Sequence, residues 1–287
     1  MKTTRRQFIR KSGTALASAA LLSQMPLNIL ASGLTGEKLS FGFQVWTIRK
    51  NLLADFPGTL KKMAAMGYTE VEMCSPLGYS MAGFKPLNEM SGTEMKKIID
   101  DAGLKCSSSH FTGPELRNSL DNRIEWASQI GMKQMVQSMP SLPRNPTLDD
   151  WRKTAQELNQ IGELTKKAGI QMGYHNHHFE FEKIDDQLIY DLLLDELDPE
   201  LVKMQFQVAV VNVGYQAADY FRKYPGRFIS AHLADWSNEK ESETPLGQGI
   251  VDWEDFFVAA KTGGVKNYFV EMGPDTFEES ARFLLNK

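Results

Sequence analysis

One short unit recurs along this chain of 287 residues: a helical segment ends in glycine, and a run of strand-forming residues follows directly. Glycine suits the left-handed position that closes a helix, and an apolar run after it is typical of a strand covered on both faces. Five copies carry this signature: AAMGYTEVEM, DDAGLKCSSSH, SQIGMKQMVQSM, KKAGIQMGYHNH and TGGVKNYFVEM. The chain is therefore expected to alternate helix and strand.

Three further segments have strand character, at 40–48, 201–208 and 228–235, which brings the predicted strands to eight. Helices are predicted between them at 57–66, 91–102, 121–130, 150–168, 216–223 and 252–262, with Ser91, Thr147 and Asp252 as N-caps. Eight such units within about 250 residues match an α/β fold of the (β/α)8 TIM barrel type. An open doubly wound sheet is the alternative, but no GxGxxG motif follows an early strand.

Residues 1–31 are predicted to be a twin-arginine signal peptide outside the folded domain. Arg5 and Arg6 precede an apolar run at 14–22, and small residues near Ala31 offer a cleavage site. The run is too short to span a bilayer. A merely basic N-terminus would explain the two arginines but not this ordered series of regions. We therefore expect the twin-arginine export machinery as a partner and a periplasmic location.

The charge of the mature chain argues against nucleic acid as a partner. The whole chain has 32 basic and 36 acidic residues, and the signal peptide holds five of the basic ones and no acid. Its removal changes the net charge from −4 to −9, and an acidic surface repels phosphate backbones. No second apolar run of about eighteen residues occurs, so the mature protein is not expected to be embedded in a membrane. We predict one barrel domain over residues 38–287.

Polar residues fall at the predicted end of every strand, the face on which TIM-barrel active sites lie. In chain order these positions are Trp46, Glu72, His110, Gln137, His175, Gln207, His232 and Glu271. A single histidine at a strand end is more often a hydrogen-bonded structural residue than a ligand. All five histidines of this chain, however, lie at such ends. Their convergence with a glutamate favours a divalent metal ion with an open position for substrate.

Five motifs in order make the chain similar to the sugar phosphate isomerase/epimerase family with the xylose isomerase-like barrel: GYHNHHFEF, KYPGRF, SAHLADW, PLGQGIVDW and YFVEMG. The resemblance covers essentially all of residues 38–287. It implies one divalent metal ion, Mn, Co, Zn or Mg, bound by side chains of strands five to eight. At the matching positions, His232, Glu271 and Glu180 are implied as ligands, with His175 as an alternative ligand or substrate contact.

The sixth strand departs from the family pattern. Relatives commonly read MQLDVGW where this chain reads MQFQVAVVNVG, so Gln207 stands in the place of an aspartate ligand. A carboxamide offers a neutral oxygen and no bidentate carboxylate, which lowers the expected affinity for the metal ion. Ala234 likewise stands where many relatives have lysine, which removes a contact to phosphate or carboxylate.

The resemblance implies proton abstraction beside a carbonyl group through an enediolate, with Glu180 and Glu271 as the catalytic pair. The predicted contacts to a carbohydrate substrate are Trp46, Glu72, His110, His175, His177 and Trp236. Because phosphorylated sugars are cytoplasmic metabolites, an exported member is expected to act on an unphosphorylated sugar or keto-sugar.

Three functions follow as hypotheses. The first is a metal-dependent sugar isomerase or epimerase, and the second is a 3-keto-glycoside lyase or hydrolase on the same barrel. The third is a non-catalytic sugar-binding accessory protein whose metal site is degraded at Gln207.

Overall fold

Eight parallel strands pair in a closed ring within residues 39–287, the part of the chain that this computed structural model describes. In chain order the ring strands and four further short strands are β1 Gly42–Gln44, β2 Glu70–Cys74, β3 Lys105–Thr112, β4 Gln134–Met139, β5 Gln171–His175, β6 Lys183–Ile184, β7 Gln187–Leu188, β8 Val202–Gln207, β9 Phe228–Leu233, β10 Asp235–Ser237, β11 Ser242–Thr244 and β12 Asn267–Val270. The four short strands form two antiparallel pairs outside the ring, β6 with β7 and β10 with β11. The ring runs β1-β2-β3-β4-β5-β8-β9-β12, and β12 pairs with β1. The predicted (β/α)8 barrel is confirmed, whereas the predicted signal peptide lies outside the described residues.

The helices surround the barrel. They span Arg49–Ala54, Phe56–Ala65, Gly92–Asp101, Gly113–Ile130, Leu148–Lys167, Ile189–Glu196, Ala217–Lys223, Trp253–Gly263 and Phe277–Leu284, with short 3-10 turns at Ser80–Ala82, Lys85–Leu87, Phe179–Phe181 and Val208–Val213. The predicted helix at 121–130 forms the part of Gly113–Ile130 that follows a kink at Ser119, and a further helical segment precedes the kink, where Thr112 accepts a hydrogen bond from the Glu115 N–H and Pro114 occupies the first turn. Three helices were not predicted: Arg49–Ala54, Ile189–Glu196 and Phe277–Leu284. None of these three has a side-chain N-cap bond.

The recurring helix–glycine–strand unit is built as the sequence predicts. The glycines that end its five copies all have φ between 74° and 106°: Gly67, Gly103, Gly131, Gly169 and Gly264. The three predicted N-caps, Ser91, Thr147 and Asp252, each accept a hydrogen bond from a backbone N–H of the first helical turn. Local sequence therefore sets both where each helix begins and where the chain turns into the next strand.

The barrel interior is polar, and the apolar core lies between the barrel and its helices. Toward the amino ends of the strands, Glu70 accepts a hydrogen bond of 3.1 Å from Asn267 Nδ2, and Gln134 Nε2 donates to Asn267 Oδ1 at 2.6 Å. Outside the ring, Trp151 and Phe221 are fully buried. The interior side chains satisfy one another's hydrogen bonds. The barrel can therefore bury polar groups from the amino to the carboxyl ends of its strands. No helix within residues 39–287 is long and apolar enough to cross a membrane.

Candidate active site

A cavity of about 930 Å³ opens at the carboxyl ends of the barrel strands. Six of the predicted site residues line it: Trp46, His110, His175, His177, Gln207 and Glu271. His232 and Glu72 lie directly beneath this wall, and both are fully buried. The structure therefore gathers eight of the ten predicted site residues in or under one cavity.

His232 lies between two carboxylates. Its Nε2 is 2.5 Å from Glu72 Oε2, and its Nδ1 is 2.9 Å from Glu271 Oε2. Burial lowers the pKa of His232, but the two carboxylates raise it more strongly, to about 9. With a proton on each nitrogen the ring is an imidazolium. If the ring were neutral and donated Nε2–H to Glu72, its Nδ1 lone pair would face the Glu271 carboxylate. A cation between Nδ1 and the carboxylate would then be needed to hold them together.

Glu72 is held in place from several sides. Its Oε1 accepts hydrogen bonds from Gln205 Nε2 at 2.8 Å and from Ser108 Oγ at 2.6 Å, and its Oε2 is 3.2 Å from His110 Nε2. Burial raises the pKa of Glu72, but the His110 and His232 imidazoles lower it to well below its ordinary value. Although predicted as a substrate contact, Glu72 is a buried, ionised partner of His232 behind the cavity wall.

Glu271 is the carboxylate at the buried end of the cavity. Its Oε2 accepts hydrogen bonds from His232 and from Gln207 Nε2, the latter at 2.8 Å, and its side chain is 13% exposed. Within the described part of the chain, its Oε1 has no hydrogen-bond partner. Burial raises the pKa of Glu271, but His232 lowers it to a net value below the ordinary one. An ionised oxygen therefore faces the cavity.

Three imidazoles meet beside this carboxylate. One ring nitrogen from each of His110, His175 and His232 lies within 4.8 Å of the other two. The Nδ1 atoms of His175 and His177 are buried and have no hydrogen-bond partner among residues 39–287. Burial lowers the pKa of His175 well below its ordinary value and that of His177 to about 4, so both rings are neutral at pH 7.

These donors fit a divalent metal ion. A neutral imidazole with an unpartnered, buried nitrogen is a ready ligand, and His175 supplies one next to His232. The side-chain oxygen of Gln207 could complete the set; it now accepts a long hydrogen bond of 3.3 Å from the Ala209 N–H. The four candidate ligands come from four consecutive strands of the ring or their ends.

Glu180 is not brought into this cluster, although the resemblance implied it as ligand and catalyst. Its Oε1 accepts a hydrogen bond from Tyr174 Oη at 2.6 Å, its Oε2 accepts one from the His177 N–H at 2.7 Å, and it does not line the cavity. Burial raises the pKa of Glu180 to about 7. It fixes the turn that carries His177. Trp236 lies in β10 and does not line the cavity either.

The sequence analysis missed a layer of polar residues one pleat below the cavity. Gln205 Oε1 is 2.7 Å from His110 Nε2, and Gln44 Nε2 is 3.2 Å from His110 Nδ1, so His110 is held on both sides. Gln205 precedes Gln207 by two residues, and Ser108 precedes His110 by two. Side chains two apart in a strand share a face, so this alternation was a readable signal.

The PLGQGIVDW motif is held in place by hydrogen bonds to Asp235. Asp235 Oδ2 accepts hydrogen bonds from the backbone N–H groups of Gly247 at 2.9 Å and Gly249 at 3.1 Å, and from Trp253 Nε1 at 2.9 Å. A Cβ on Gly249 would lie 2.2 Å from Asp235 Oδ1, so only glycine fits. The motif therefore anchors the loop after β11 and makes no contact with the cavity.

Fold and site together define a (β/α)8 barrel with a histidine- and glutamate-rich centre at its carboxyl end. The sequence profile of the xylose isomerase-like TIM barrel matches residues 60–287, and the chain belongs to that family. A sugar phosphate isomerase/epimerase from Parabacteroides distasonis is similar in structure, with a TM-score of 0.74 and 27% identity over 88% of this chain and 95% of that one.

Two curated relatives are inosose dehydratases. That of Clostridium perfringens is 26% identical over 140 residues, which are 42% of this chain and 46% of the relative. Inosose dehydratase 2 of Bacillus cereus is 26% identical over 214 residues, 61% of this chain and 71% of the relative. The chain thus spans about half the length of the first relative. Isomerases, epimerases and dehydratases all occur among the proteins similar to this chain.

Proposed function

We propose that this protein is a lyase that acts on an unphosphorylated keto-sugar or cyclic polyol ketone. The observation that carries the proposal is the placement of its two candidate catalytic carboxylates. Glu271 turns an unpartnered, ionised oxygen toward the cavity, whereas Glu180 is buried away from it with both oxygens engaged. The other carboxylate of the cavity wall, Glu243, is exposed and accepts a hydrogen bond from the Gly273 N–H.

One base is sufficient for an elimination. Glu271 removes the proton from the carbon beside the carbonyl group, and the electron pair moves onto the carbonyl oxygen as an enediolate or enolate. The bond to the oxygen substituent on the next carbon then breaks as a carbon–carbon double bond forms. Glu271 returns its proton to the departing oxygen, which leaves as water or an alcohol. His177, which is neutral, can accept a hydrogen bond from a substrate hydroxyl group.

His232, His175, Gln207 and Glu271 are the residues that would bind the metal ion. A divalent ion supplies stabilisation of negative charge on a substrate oxygen when bound. The chain's own contribution is to hold Glu271 in position: in the metal-free protein His232 and Gln207 fix one carboxylate oxygen, and the other oxygen is left for the proton. The dehydratase names of the curated relatives support the lyase class.

A sugar isomerase or epimerase is the second candidate, and the Parabacteroides relative named as such favours it. Such an enzyme returns the proton to a new carbon or face, for which the family uses a second acid–base group. The accessory-protein hypothesis is the third candidate, and the uncharged Gln207 among the ligands is its support.

Product analysis in D2O separates the three candidates. The protein is incubated with inososes, 2-keto-sugars and 3-keto-glycosides, and the products are followed by proton NMR and ultraviolet absorbance. We expect an unsaturated ketone together with loss of a substituent. A deuterated isomer that keeps all its substituents would favour the isomerase, and sugar binding without turnover, insensitive to chelator, would favour the accessory protein.

We also propose that the protein is exported, on the evidence of the twin-arginine pattern at Arg5 and Arg6. Fractionation of cells that express the full chain tests this. The mature protein should be recovered from the periplasm, and replacement of both arginines by lysine should retain the precursor in the cytoplasm. Recovery of the unaltered chain from the cytoplasm alone would contradict the proposal.

A further inference from the structure

The outer part of the cavity is apolar although it faces solvent. Met81 is fully exposed and Met139 is 47% exposed, and both line the cavity. Leu142, Trp46 and Tyr79 also line the cavity. Large apolar side chains gathered at a cavity entrance mark a binding surface, because exposing them to water is unfavourable. We call these five residues the outer chamber.

Two histidines and the candidate catalytic carboxylate lie at the other, buried end of the cavity. His110 and His175 are 4% and 1% exposed, and Glu271 is bonded to the fully buried His232. A cavity of about 930 Å³ is near the upper end of the range that holds drug-sized ligands, well beyond the needs of one sugar ring. The site thus has a buried end with His110, His175 and Glu271 and an entrance with exposed apolar side chains.

The wall of the outer chamber formed by Tyr79 and Trp46 is preformed. Tyr79 Oη and Ser138 Oγ are hydrogen-bonded, which ties the loop after β2 to the end of β4. The Tyr79 and Trp46 rings meet edge to face with centroids 5.8 Å apart, and the Arg49 guanidinium lies 4.1 Å from the centre of the Trp46 ring. A wall fixed in this way binds an apolar group without the entropy loss of ordering a loop.

We infer that the site takes a sugar-like ligand that carries an aromatic or long alkyl substituent, and that this substituent occupies the outer chamber. The inference deepens the proposed function and rests on it for the role of the buried end alone. The substituent is recognised by apolar burial against Met81, Met139 and Trp46, and a free monosaccharide would leave this surface in water.

Calorimetric titration with methyl, hexyl and phenyl β-glucopyranoside tests the inference. Burial of a phenyl group stabilises a complex enough to tighten binding by about tenfold to a hundredfold. We expect the phenyl and hexyl compounds to bind at least tenfold more tightly than the methyl compound. Equal affinities, or no measurable binding of the phenyl compound, would overturn the inference.

Two variants locate the effect. The double variant Met81→Ser/Met139→Ser should lose the preference for phenyl over methyl, and Met81→Leu/Met139→Leu should keep it. Val258→Ser is the matched control, because Val258 is 65% exposed and does not line the cavity. A preference that survives the double serine variant would contradict the assignment to the outer chamber.

The same titration on Glu271→Gln separates this inference from the proposed function. Glu271 lies at the buried end, so the preference for phenyl over methyl should remain in this variant. If the preference remains and no carbonyl compound reacts with the unaltered protein, the proposed function is wrong and the assignment of the apolar substituent to the outer chamber is supported. If carbonyl compounds react without any preference for an apolar substituent, the assignment to the outer chamber is wrong and the proposed function is retained.

Discussion

Glu72 Oε2 lies 2.5 Å from His232 Nε2, although the two residues are 160 positions apart in the chain. The strands that carry them are not neighbours in the ring, so this contact crosses the barrel interior. It fixes the His232 ring and aims the other nitrogen at Glu271. A carboxylate behind a histidine ligand sets the ring's orientation and raises its basicity.

Glu72→Gln should weaken this arrangement without unfolding the barrel. Loss of one of its two negative neighbours should lower the pKa of His232 from about 9, which NMR titration of the metal-free protein measures. Zinc affinity should fall about tenfold to a hundredfold. Glu70→Gln is the control, since Glu70 bonds to Asn267 and not to His232. An unchanged His232 titration in Glu72→Gln would show that Glu72 does not tune this ring.

The donor set predicts which metal ion the site prefers. Imidazole ligands suit zinc and cobalt, whereas magnesium requires oxygen ligands in near-octahedral geometry. After treatment with a chelator, the protein should bind Zn²⁺ or Co²⁺ more tightly than Mg²⁺, and each should raise the melting temperature as mass action requires. Calorimetric titration and thermal unfolding measure this without an activity assay.

Gln207→Asp should tighten binding of every divalent ion, because it adds a negative ligand beside Glu271. It removes the hydrogen bond that Gln207 Nε2 donates to Glu271, so a destabilised metal-free protein is also expected. Gln137→Asp, at the end of a strand that supplies no candidate ligand, serves as the control.

The metal preference of the unaltered protein has its own contradicting result. Tighter binding of Mg²⁺ than of Zn²⁺ by the unaltered protein would contradict the assigned donors.

Glu115 predicts a pH dependence of stability. Its Oε2 is buried without a partner, and burial raises the pKa of the carboxyl to about 7 although Ser75 and Arg123 oppose the shift. A folded-state pKa above the unfolded one contributes stability at low pH that is lost as pH rises to about 7. The contribution of Glu115 to the free energy of unfolding should therefore fall by up to about 3 kcal/mol between pH 5 and pH 8.

Glu115→Gln should remove this contribution, so the difference in unfolding free energy between the variant and the unaltered protein should change with pH, which denaturant unfolding at several pH values measures. Glu157→Gln is the control, because Glu157 is 41% exposed and paired with Arg117, which lowers its pKa. A difference that stays the same at every pH would contradict this role of Glu115.

The fold was predictable because its signals are local. Each glycine such as Gly67 or Gly131 closes a helix within its own few residues, and Ser91 and Thr147 cap the next helix in the same way. The last helix has neither a capping side chain nor a following strand within residues 39–287, so the repeating pattern did not predict it.

The site was predictable to the level of the cavity but not of each role. Strand ends meet in any such barrel, so His110, His175 and Glu271 could be placed together from sequence. The direction of Glu180 could not, because a 3-10 turn after β5 rotates it toward Tyr174. Glu72 was placed correctly along its strand, but its role depends on His232, a partner far away in sequence.

The central claim is that Glu271, and not Glu180, moves the substrate proton. Loss of the substrate C–H proton to D2O is measured by NMR with whichever keto-sugar the product analysis identifies, for the unaltered protein, Glu271→Gln and Glu180→Gln. We predict a loss of about 10²- to 10⁴-fold in Glu271→Gln and a rate close to the unaltered one in Glu180→Gln. An equal loss in both variants, each with an unaltered melting temperature, would contradict the claim and restore the two-carboxylate isomerase.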